Sequence, residues 1–204
     1  VIRREADGIR RYCHVGTGNY NPATAKTYED LGILSASPEL CADLAELFNH
    51  LTGLSRQRYY RRILVAPGNL KAALLEMIRA EAAQPDGRIA MKLNHVSDPE
   101  LIDALYAASQ AGTQIDLVVR GICSLRPGVP GLSERIRVRS ILGRFLEHSR
   151  IFRFGNERRG RRYFIGSSDL MRGKLEGRVE LVVPVEEPAL CARLEEILAL
   201  ALED

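Results

Sequence analysis

The sequence predicts an α/β protein in which a mixed, largely parallel sheet is flanked by helices. From about residue 57 onward, apolar strand-like runs alternate with amphipathic helix-like runs, the order that gives parallel strands joined by right-handed crossovers. Three helix-like runs begin with Asn, Ser or Asp followed by Pro, which is typical of helix N-termini. The 204 residues, 46% of them hydrophobic, are enough to bury a core of normal size.

The first 56 residues predict a hairpin, a strand and two helices. The first strand of the hairpin begins at residue 1, so we expect the natural chain to start earlier. The predicted elements are, in order, a hairpin turning at Asp7-Gly8, a strand over 12–17, a helix from Asn21-Pro22 to Gly32, and a helix from Ser37-Pro38 to Gly53.

The rest of the chain predicts seven strands and three helices. Sites in such sheets form at the carboxyl ends of strands, where the segments RGICSLRPG, EHSR and GSSD lie. The predicted strands cover 62–66, 88–94, 114–121, 136–140, 150–155, 161–166 and 179–185, and the helices cover 69–83, 99–111 and 187–202.

The composition excludes several classes of protein. No apolar run reaches the roughly 18 residues of a membrane helix, so no transmembrane segment is predicted. The four cysteines lie far apart and form no C-x-x-C pair, so neither a zinc site nor a disulfide framework is predicted. We therefore expect a cytoplasmic protein, with peripheral membrane association left open.

The basic residues are mostly arginine. Four of the 29 are lysines, so 25 are arginines, and ten of these lie between residues 135 and 162. A guanidinium group matches phosphate oxygens in shape and charge, so this cluster predicts a polyanionic partner. A GC-rich genome would explain the arginine-to-lysine ratio equally well.

A short motif occurs twice, as RRYCHVGTGN at 10–19 and RRYFIGSSD at 161–169. In the second copy, His148 and Arg150 precede the GSSD segment by one strand. Imidazole can attack phosphorus or donate a proton, arginine neutralises phosphoryl oxygens, and small residues let backbone approach an anion. The pattern resembles the half-motif of the phospholipase D superfamily, although a strand histidine followed by a turn would look the same.

The partner histidine of the first copy is expected about 18 to 20 residues before Gly16, which falls just before Val1. In the phospholipase D superfamily two half-motifs meet, and their two histidines face one phosphorus. The resemblance therefore implies that the partner half lies upstream of this chain.

Longer segments resemble the C-terminal part of bacterial polyphosphate kinases. They are HVGTGNYNPATAKTYEDLGILSASPE, YRRILVAPGNL, the block from Gln110 to Phe152, and IGSSDLM. The resemblance implies a phospholipase D-like fold, with residues 1–56 as the end of a first catalytic domain and 57–204 as the second. It implies reversible transfer of the ATP γ-phosphate to polyphosphate through a phosphohistidine, with Mg²⁺ accompanying ATP and a homo-oligomeric full-length enzyme.

The resemblance also implies roles for individual residues. His148 matches the second active-site histidine, a nucleotide contact and candidate proton donor, and Tyr28 and Arg120 match ATP-binding positions. The nucleophilic histidine is expected in a Lys-Ile-His-x-Lys-like segment, which is absent here, so we expect this chain to be inactive alone. Supporting or phosphate-binding roles are implied for His14, Asn19, Arg126, Arg150, Ser167, Asp169 and Arg172.

The sequence departs from the family pattern after GSSD. Leu170 replaces the usual tryptophan, and Gly173-Lys174 stands where an Arg-Asn pair is usual, so Arg172 and Lys174 are uncertain phosphate contacts. The magnesium-linked arginines of the family lie upstream, so no metal site and no tightly bound cofactor are expected. His50 and His95 are interpreted as ordinary polar residues.

Two alternatives remain open at this stage. A phospholipase D-class phosphodiesterase would favour GSxN endings and a lysine at position 150, whereas this chain has Asp169 and Arg150. A non-catalytic module for polyanions or nucleic acid would favour aromatic residues among the charges, but the chain is 6% aromatic and has no tryptophan. No specific nucleic acid partner is therefore expected.

Overall fold

The structure is a computed structural model that describes residues 1–56 and 59–203. Its strands are β1 (Ile2–Glu5), β2 (Gly8–Arg11), β3 (Cys13–Gly16), β4 (Tyr28–Glu29), β5 (Gly32–Ser35), β6 (Leu64–Ala66), β7 (Arg88–Leu93), β8 (Gln114–Val119), β9 (Ile136–Arg139), β10 (Leu146–Glu147), β11 (Ile151–Asn156), β12 (Gly160–Gly166) and β13 (Glu180–Val185). Its helices are α1 (Pro38–Leu51), α2 (Leu70–Ala82), α3 (Pro99–Gln110), α4 (Arg172–Gly177) and α5 (Pro188–Glu203).

A seven-stranded mixed sheet, ordered β6-β13-β12-β11-β7-β8-β9, forms the centre of the fold. The predicted mixed α/β class is confirmed, and within this sheet parallel pairing joins β7, β8 and β9. The other four pairings are antiparallel, although five of the seven strands run in one direction. The short turn between β11 and β12 requires that pair to be antiparallel, because so few residues can connect only antiparallel strands.

The helix predicted from Asn21 to Gly32 does not form. The Asn21 Oδ1 accepts hydrogen bonds from the Ala23 and Thr24 amides at 2.8 and 3.3 Å, but only one 3₁₀ turn, Thr24–Lys26, follows. The chain then extends as β4, which pairs in parallel with β10. A short isolated helix is marginal, so pairing with β10 prevails, and it brings Tyr28 close to His148.

The predicted starts of α1 and α3 are confirmed by their capping side chains. The Ser37 side chain accepts a hydrogen bond from the Leu40 amide at the start of α1. The Asp98 Oδ1 accepts one from the Leu101 amide at 3.0 Å at the start of α3. Gly112, which follows the C-cap residue Ala111 of α3, has a φ of 107°, a conformation that favours glycine.

The sheet buries a hydrophobic core on each face. One cluster joins β7, β8 and β11 to α2 and α3, and the other joins the opposite face to α1, α5 and the strand β3. Ile89 and Met91 belong to the first cluster and Ala90 to the second, the alternation expected of a strand. The predicted domain boundary at 56/57 falls at a gap in the described residues, and residues from both sides of it pack in the second cluster.

No helix within residues 1–56 or 59–203 combines the length and the apolar character needed to cross a lipid bilayer.

Candidate active site

The candidate site lies where β7, β8 and β12 end and where β11 begins. These four strand ends meet at one edge of the sheet, because β11 runs opposite to the other three. The segments that they place there are Asn94-His95, Arg120, Ser167–Asp169 and His148–Arg150.

His148 is the best-defined side chain of this edge. It is 9% exposed, and its Nδ1 lies 2.8 and 3.0 Å from the two carboxylate oxygens of Asp30. A carboxylate only accepts, so Nδ1 carries the proton, and Nε2 is the acceptor of the neutral ring. The Tyr28 ring packs against the imidazole at a centroid distance of 4.9 Å.

Thr17 and Arg150 hold this pair in place. The Thr17 hydroxyl donates to the Asp30 Oδ1 at 2.8 Å and accepts from the Leu31 amide at 2.9 Å. The Arg150 Nη1 donates to the backbone oxygens of Thr17 and His148 at 2.9 and 2.8 Å and lies 3.2 Å from the His148 Nε2. The GTGN segment therefore supports His148 through Asp30 and Arg150.

Burial lowers the pKa of His148 below its ordinary value of 6.5. The charges of Arg150 and Arg120 lower it further, and the carboxylate of Asp30 opposes them. Burial also lowers the pKa of His95. Both rings are therefore mostly neutral near pH 7 in the folded chain.

We expect the free energy of unfolding to fall as the pH drops below about 6.5. The unfolded chain takes up protons on His148 and His95 at a higher pH than the folded chain does, because the folded pKa values are lowered. Urea unfolding of the 204-residue chain between pH 7.5 and 5 measures this effect. In His148→Gln the slope is expected to be smaller, and an unchanged slope would contradict the assignment to His148.

Asp169 anchors the cations of the site. It is fully buried, receives hydrogen bonds from the Arg150 Nε and Nη2 at 3.4 and 3.3 Å, and pairs with the Lys174 ammonium. The backbone N–H of Asn94 also donates to the Asp169 Oδ1, at 2.7 Å. Burial raises the pKa of Asp169, but the charge of Arg150 and the Lys174 contact outweigh burial and hold it below the ordinary value. Asp169 is thus an ionised support for these cations.

Arg120 stands at the end of β8, half-buried, and its Nε donates to the Asn94 Oδ1 at 3.2 Å. With Thr27, Glu147 and the loop 141–146 it lines an open cavity of 290 Å³. The residues adjacent to Thr27 and Glu147 in the chain are Tyr28 and His148. Arg120 and Arg144 give the cavity a cationic wall, whereas the side chains of Tyr28 and His148 are not part of its lining.

Ser167 and Arg172 make contacts unlike those expected of phosphate ligands. The Ser167 hydroxyl donates to Glu180 and accepts from the Leu181 amide at 3.2 Å. Arg172 is exposed and pairs with Glu176 one helical turn away. A phosphate-binding role for either residue remains a prediction, and it would require these contacts to be exchanged.

His14, Asn19 and Arg126 are not among the residues whose side chains contact the His148 ring in the described part of the chain. The His14 Nδ1 is 2.6 Å from the Tyr20 hydroxyl, and both residues line a separate groove of 660 Å³. Asn19 and Arg126 are exposed, and Arg126 is fixed by its backbone amide, which donates to the Tyr106 hydroxyl at 2.8 Å. Their supporting roles stay predictions.

Sequence reasoning missed Asp30, Asn94 and the position of His95. The helix predicted from Asn21 to Gly32 would include Asp30, whereas in the structure Asp30 directly follows β4 and contacts His148. The His95 Nδ1 accepts from the Ile122 amide at 3.1 Å, as a satisfied polar residue would, yet the ring lies at the same sheet edge. No sequence signal points to Asp30, because its closeness to Gly18, where a Cβ would lie 2.1 Å from the Asp30 carboxylate, arises only in the folded chain.

Gly18→Ala is expected to displace Asp30 and to weaken its hydrogen bond with His148. The added methyl group cannot coexist with the carboxylate in its present position. The measurement is the Nδ1–H resonance of His148 in ¹⁵N-labelled chain, which should broaden or disappear.

Gly173→Ala is the matched control, since a Cβ at that position would meet open space within the described part of the chain. If Gly18→Ala keeps the His148 resonance at the same chemical shift as the control, Gly18 is not required for the contact between Asp30 and His148.

The described residues do not fit a metal held by the protein. Within the part of the chain that the structure describes, no group of three or more His, Cys, Asp or Glu side chains could hold an ion. The two carboxylates of the site already bind His148, Arg150 and Lys174.

Comparison with protein families gives two matches that together cover almost the whole chain. Residues 63–204 match the family model described as polyphosphate kinase C-terminal domain 2. Residues 1–57 match the one described as polyphosphate kinase C-terminal domain 1.

Curated relatives named polyphosphate kinase are similar over the full chain. The protein of Thermosynechococcus vestitus is 55% identical over 100% of this chain, and that of Mycobacterium avium is 52% identical over 100%. In both cases the chain spans 28% of the relative's length.

Two solved structures resemble the fold. The crystal structure of polyphosphate kinase from Porphyromonas gingivalis matches with a TM-score of 0.90 and 36% identity, over 96% of this chain and 31% of that one. NucT from Helicobacter pylori matches with a TM-score of 0.52 and 11% identity, over 69% of this chain and 94% of that one, which shows a likeness of fold alone.

Proposed function

Since the chain belongs to the polyphosphate kinase family, we propose that it carries the nucleotide-phosphate side of an active site that transfers the γ-phosphate of ATP reversibly to inorganic polyphosphate. The observation that carries the proposal is the hydrogen bond between the buried His148 and the carboxylate of Asp30, with Arg150 against the ring. A neutral imidazole among guanidinium groups suits a site that binds a polyanion and moves one proton.

The proposed reaction has two phosphoryl-transfer steps, and this chain contributes residues that bind the nucleotide and its phosphates. A histidine nitrogen attacks the γ-phosphorus, the bond from that phosphorus to the bridging oxygen breaks, and ADP leaves with the electron pair. The phosphohistidine then passes its phosphoryl group to a terminal oxygen of polyphosphate. Arg120 neutralises charge on the phosphates, and Tyr28 contacts the nucleotide.

His148 is proposed to supply a proton to the departing ADP. Its Nδ1 proton is directed at Asp30, so Nε2 is the nitrogen that exchanges a proton with a phosphate oxygen. The charge of bound triphosphate would raise the pKa of the imidazole and so populate the protonated form. Positioning and charge neutralisation then supply most of the acceleration, as in other phosphoryl transfers.

The nucleophile is proposed to come from outside these 204 residues. The four histidines are His14, His50, His95 and His148, and none stands in a Lys-x-His-x-Lys segment. We also propose that Mg²⁺ arrives on the ATP phosphates, that the full-length enzyme is a homo-oligomer, and that it is cytoplasmic. These expectations rest on the resemblance.

Competition binding tests the proposed function. ATP and polyphosphate should displace each other from the chain, and Arg120→Ala should weaken both. Arg162→Ala is the matched control, because Arg162 is exposed on β12. A random oligonucleotide should show only weak binding that salt removes. Tight, salt-resistant oligonucleotide binding without ATP binding would refute the proposal and favour a nucleic-acid module.

A further inference from the structure

Lys92 is a buried ammonium group behind the candidate site. It lies near the end of β7, opposite Val118 of β8 and Ile151 of β11, and it is 3% exposed. Burying a charge is costly unless the charge is paired and hydrogen-bonded, so its position calls for strong partners.

Among the described residues Lys92 has three side-chain partners, and each of them is adjacent in sequence to a residue of the candidate site. Its Nζ lies 2.7 Å from the Ser149 Oγ, 2.9 Å from a Glu147 carboxylate oxygen and 3.2 Å from the Glu29 Oε2. Ser149 also donates to the Glu29 Oε2 at 2.7 Å. Lys92 thus ties β10 and the start of β11 to β4 through a single group.

The strand geometry places this cluster directly behind the imidazole. Glu29 and Glu147 are register partners in the parallel pair of β4 and β10, and side chains alternate between the two faces of a strand. Glu147 and Ser149 flank His148, and Glu29 stands between Tyr28 and Asp30. The cluster therefore occupies one face of the two-stranded ladder, and the contacts of His148 occupy the other.

We propose that Lys92 is a positioning residue, which holds the β4–β10 ladder so that Asp30 and Tyr28 meet His148. Without the ammonium, two carboxylates would face each other in a poorly hydrated space, and their repulsion would separate the strands. Burial raises the pKa of Glu29, but the Ser149 hydrogen bond and the Lys92 charge outweigh burial and lower it, which agrees with an ionised cluster.

Lys92→Met should break the contact between Asp30 and His148 without touching either residue. We expect loss of the His148 Nδ1–H resonance and at least a tenfold weaker affinity for ATP, the latter expectation resting on the proposed function. Lys92→Arg keeps the charge and should restore both. Lys26→Met, which removes an exposed lysine, is the matched control and should change neither.

Glu147→Gln is the variant to use if Lys92→Met does not fold. We expect it to fold, because glutamine keeps a hydrogen-bonding group next to the ammonium. It should weaken the same resonance and the same affinity to a smaller extent. An unchanged Nδ1–H resonance in a folded Lys92→Met or Glu147→Gln chain would overturn the inference. If the variant loses the resonance but the unmodified chain does not bind ATP, the positioning role is supported and the proposed function is refuted.

Discussion

Replacing His148 with glutamine is expected to lower the rate of phosphoryl transfer by about 10²- to 10⁴-fold in a full-length enzyme that carries this sequence. Glutamine keeps a polar side chain of similar reach but cannot exchange a proton near neutral pH. Because Asp30 fixes the Nδ1 proton, the variant loses the group whose Nε2 would protonate ADP. The affinity for ATP should change much less than the rate, since Arg120 and Arg150 remain.

The measurement is steady-state synthesis of polyphosphate from ATP, with kcat and KM determined separately. His50→Gln serves as the matched control, because His50 lies at the end of α1 and hydrogen-bonds to the Ser55 carbonyl. A His148→Gln rate within tenfold of the unmodified enzyme would refute the proposed proton transfer.

Asp169→Asn is expected to destabilise the chain by about 3–5 kcal/mol, the usual cost of breaking a buried ion pair from one side. The carboxylate is fully buried and pairs with Arg150 and Lys174, whose side chains are 4% and 15% exposed. An asparagine amide would leave both cations without a counter-charge and would present a donor to one of them. The Asn94 amide would also lose the charge of its acceptor.

Urea unfolding of the 204-residue chain at pH 7.5 measures this loss. Asp7→Asn is the matched control, because the Asp7–Arg10 pair is exposed, and surface pairs of this kind contribute little. If Asp169→Asn unfolds at the same urea concentration as the control, Asp169 does not anchor the cations as described.

Most of the fold could be predicted from local signals. Ser37-Pro38 and Asp98-Pro99 start helices because their capping side chains and the fixed φ of proline act within one turn. The segment after Asn21 carries the same signals, yet it forms β4, because its partner β10 lies about 120 residues away in the sequence. No local pattern reports a contact of that range, and the helix prediction failed there.

The residues of the candidate site also differ in whether a local sequence pattern could predict them. His148, Arg150 and the GSSD segment lie close in sequence and follow a motif, so they could be selected from the sequence together. Asp30 and Lys92 could not, because each acts through contacts made by folding. Asp30 contacts a histidine 118 positions away in the sequence. Lys92 is a single lysine in an apolar strand, and nothing in the local sequence indicates its partners. Their roles follow from which strands become neighbours.

The pKa of the His148 imidazole tests most directly whether the nucleotide phosphates bind against this ring. NMR titration of the histidine ring signals, with and without saturating ATP, gives that pKa for the 204-residue chain. We expect a pKa below 6.5 without ligand and a clear rise with ATP or tripolyphosphate, a rise that Arg120→Ala reduces. An unchanged His148 pKa at saturating ATP, with the shift appearing at His14 instead, would show that the phosphates bind elsewhere.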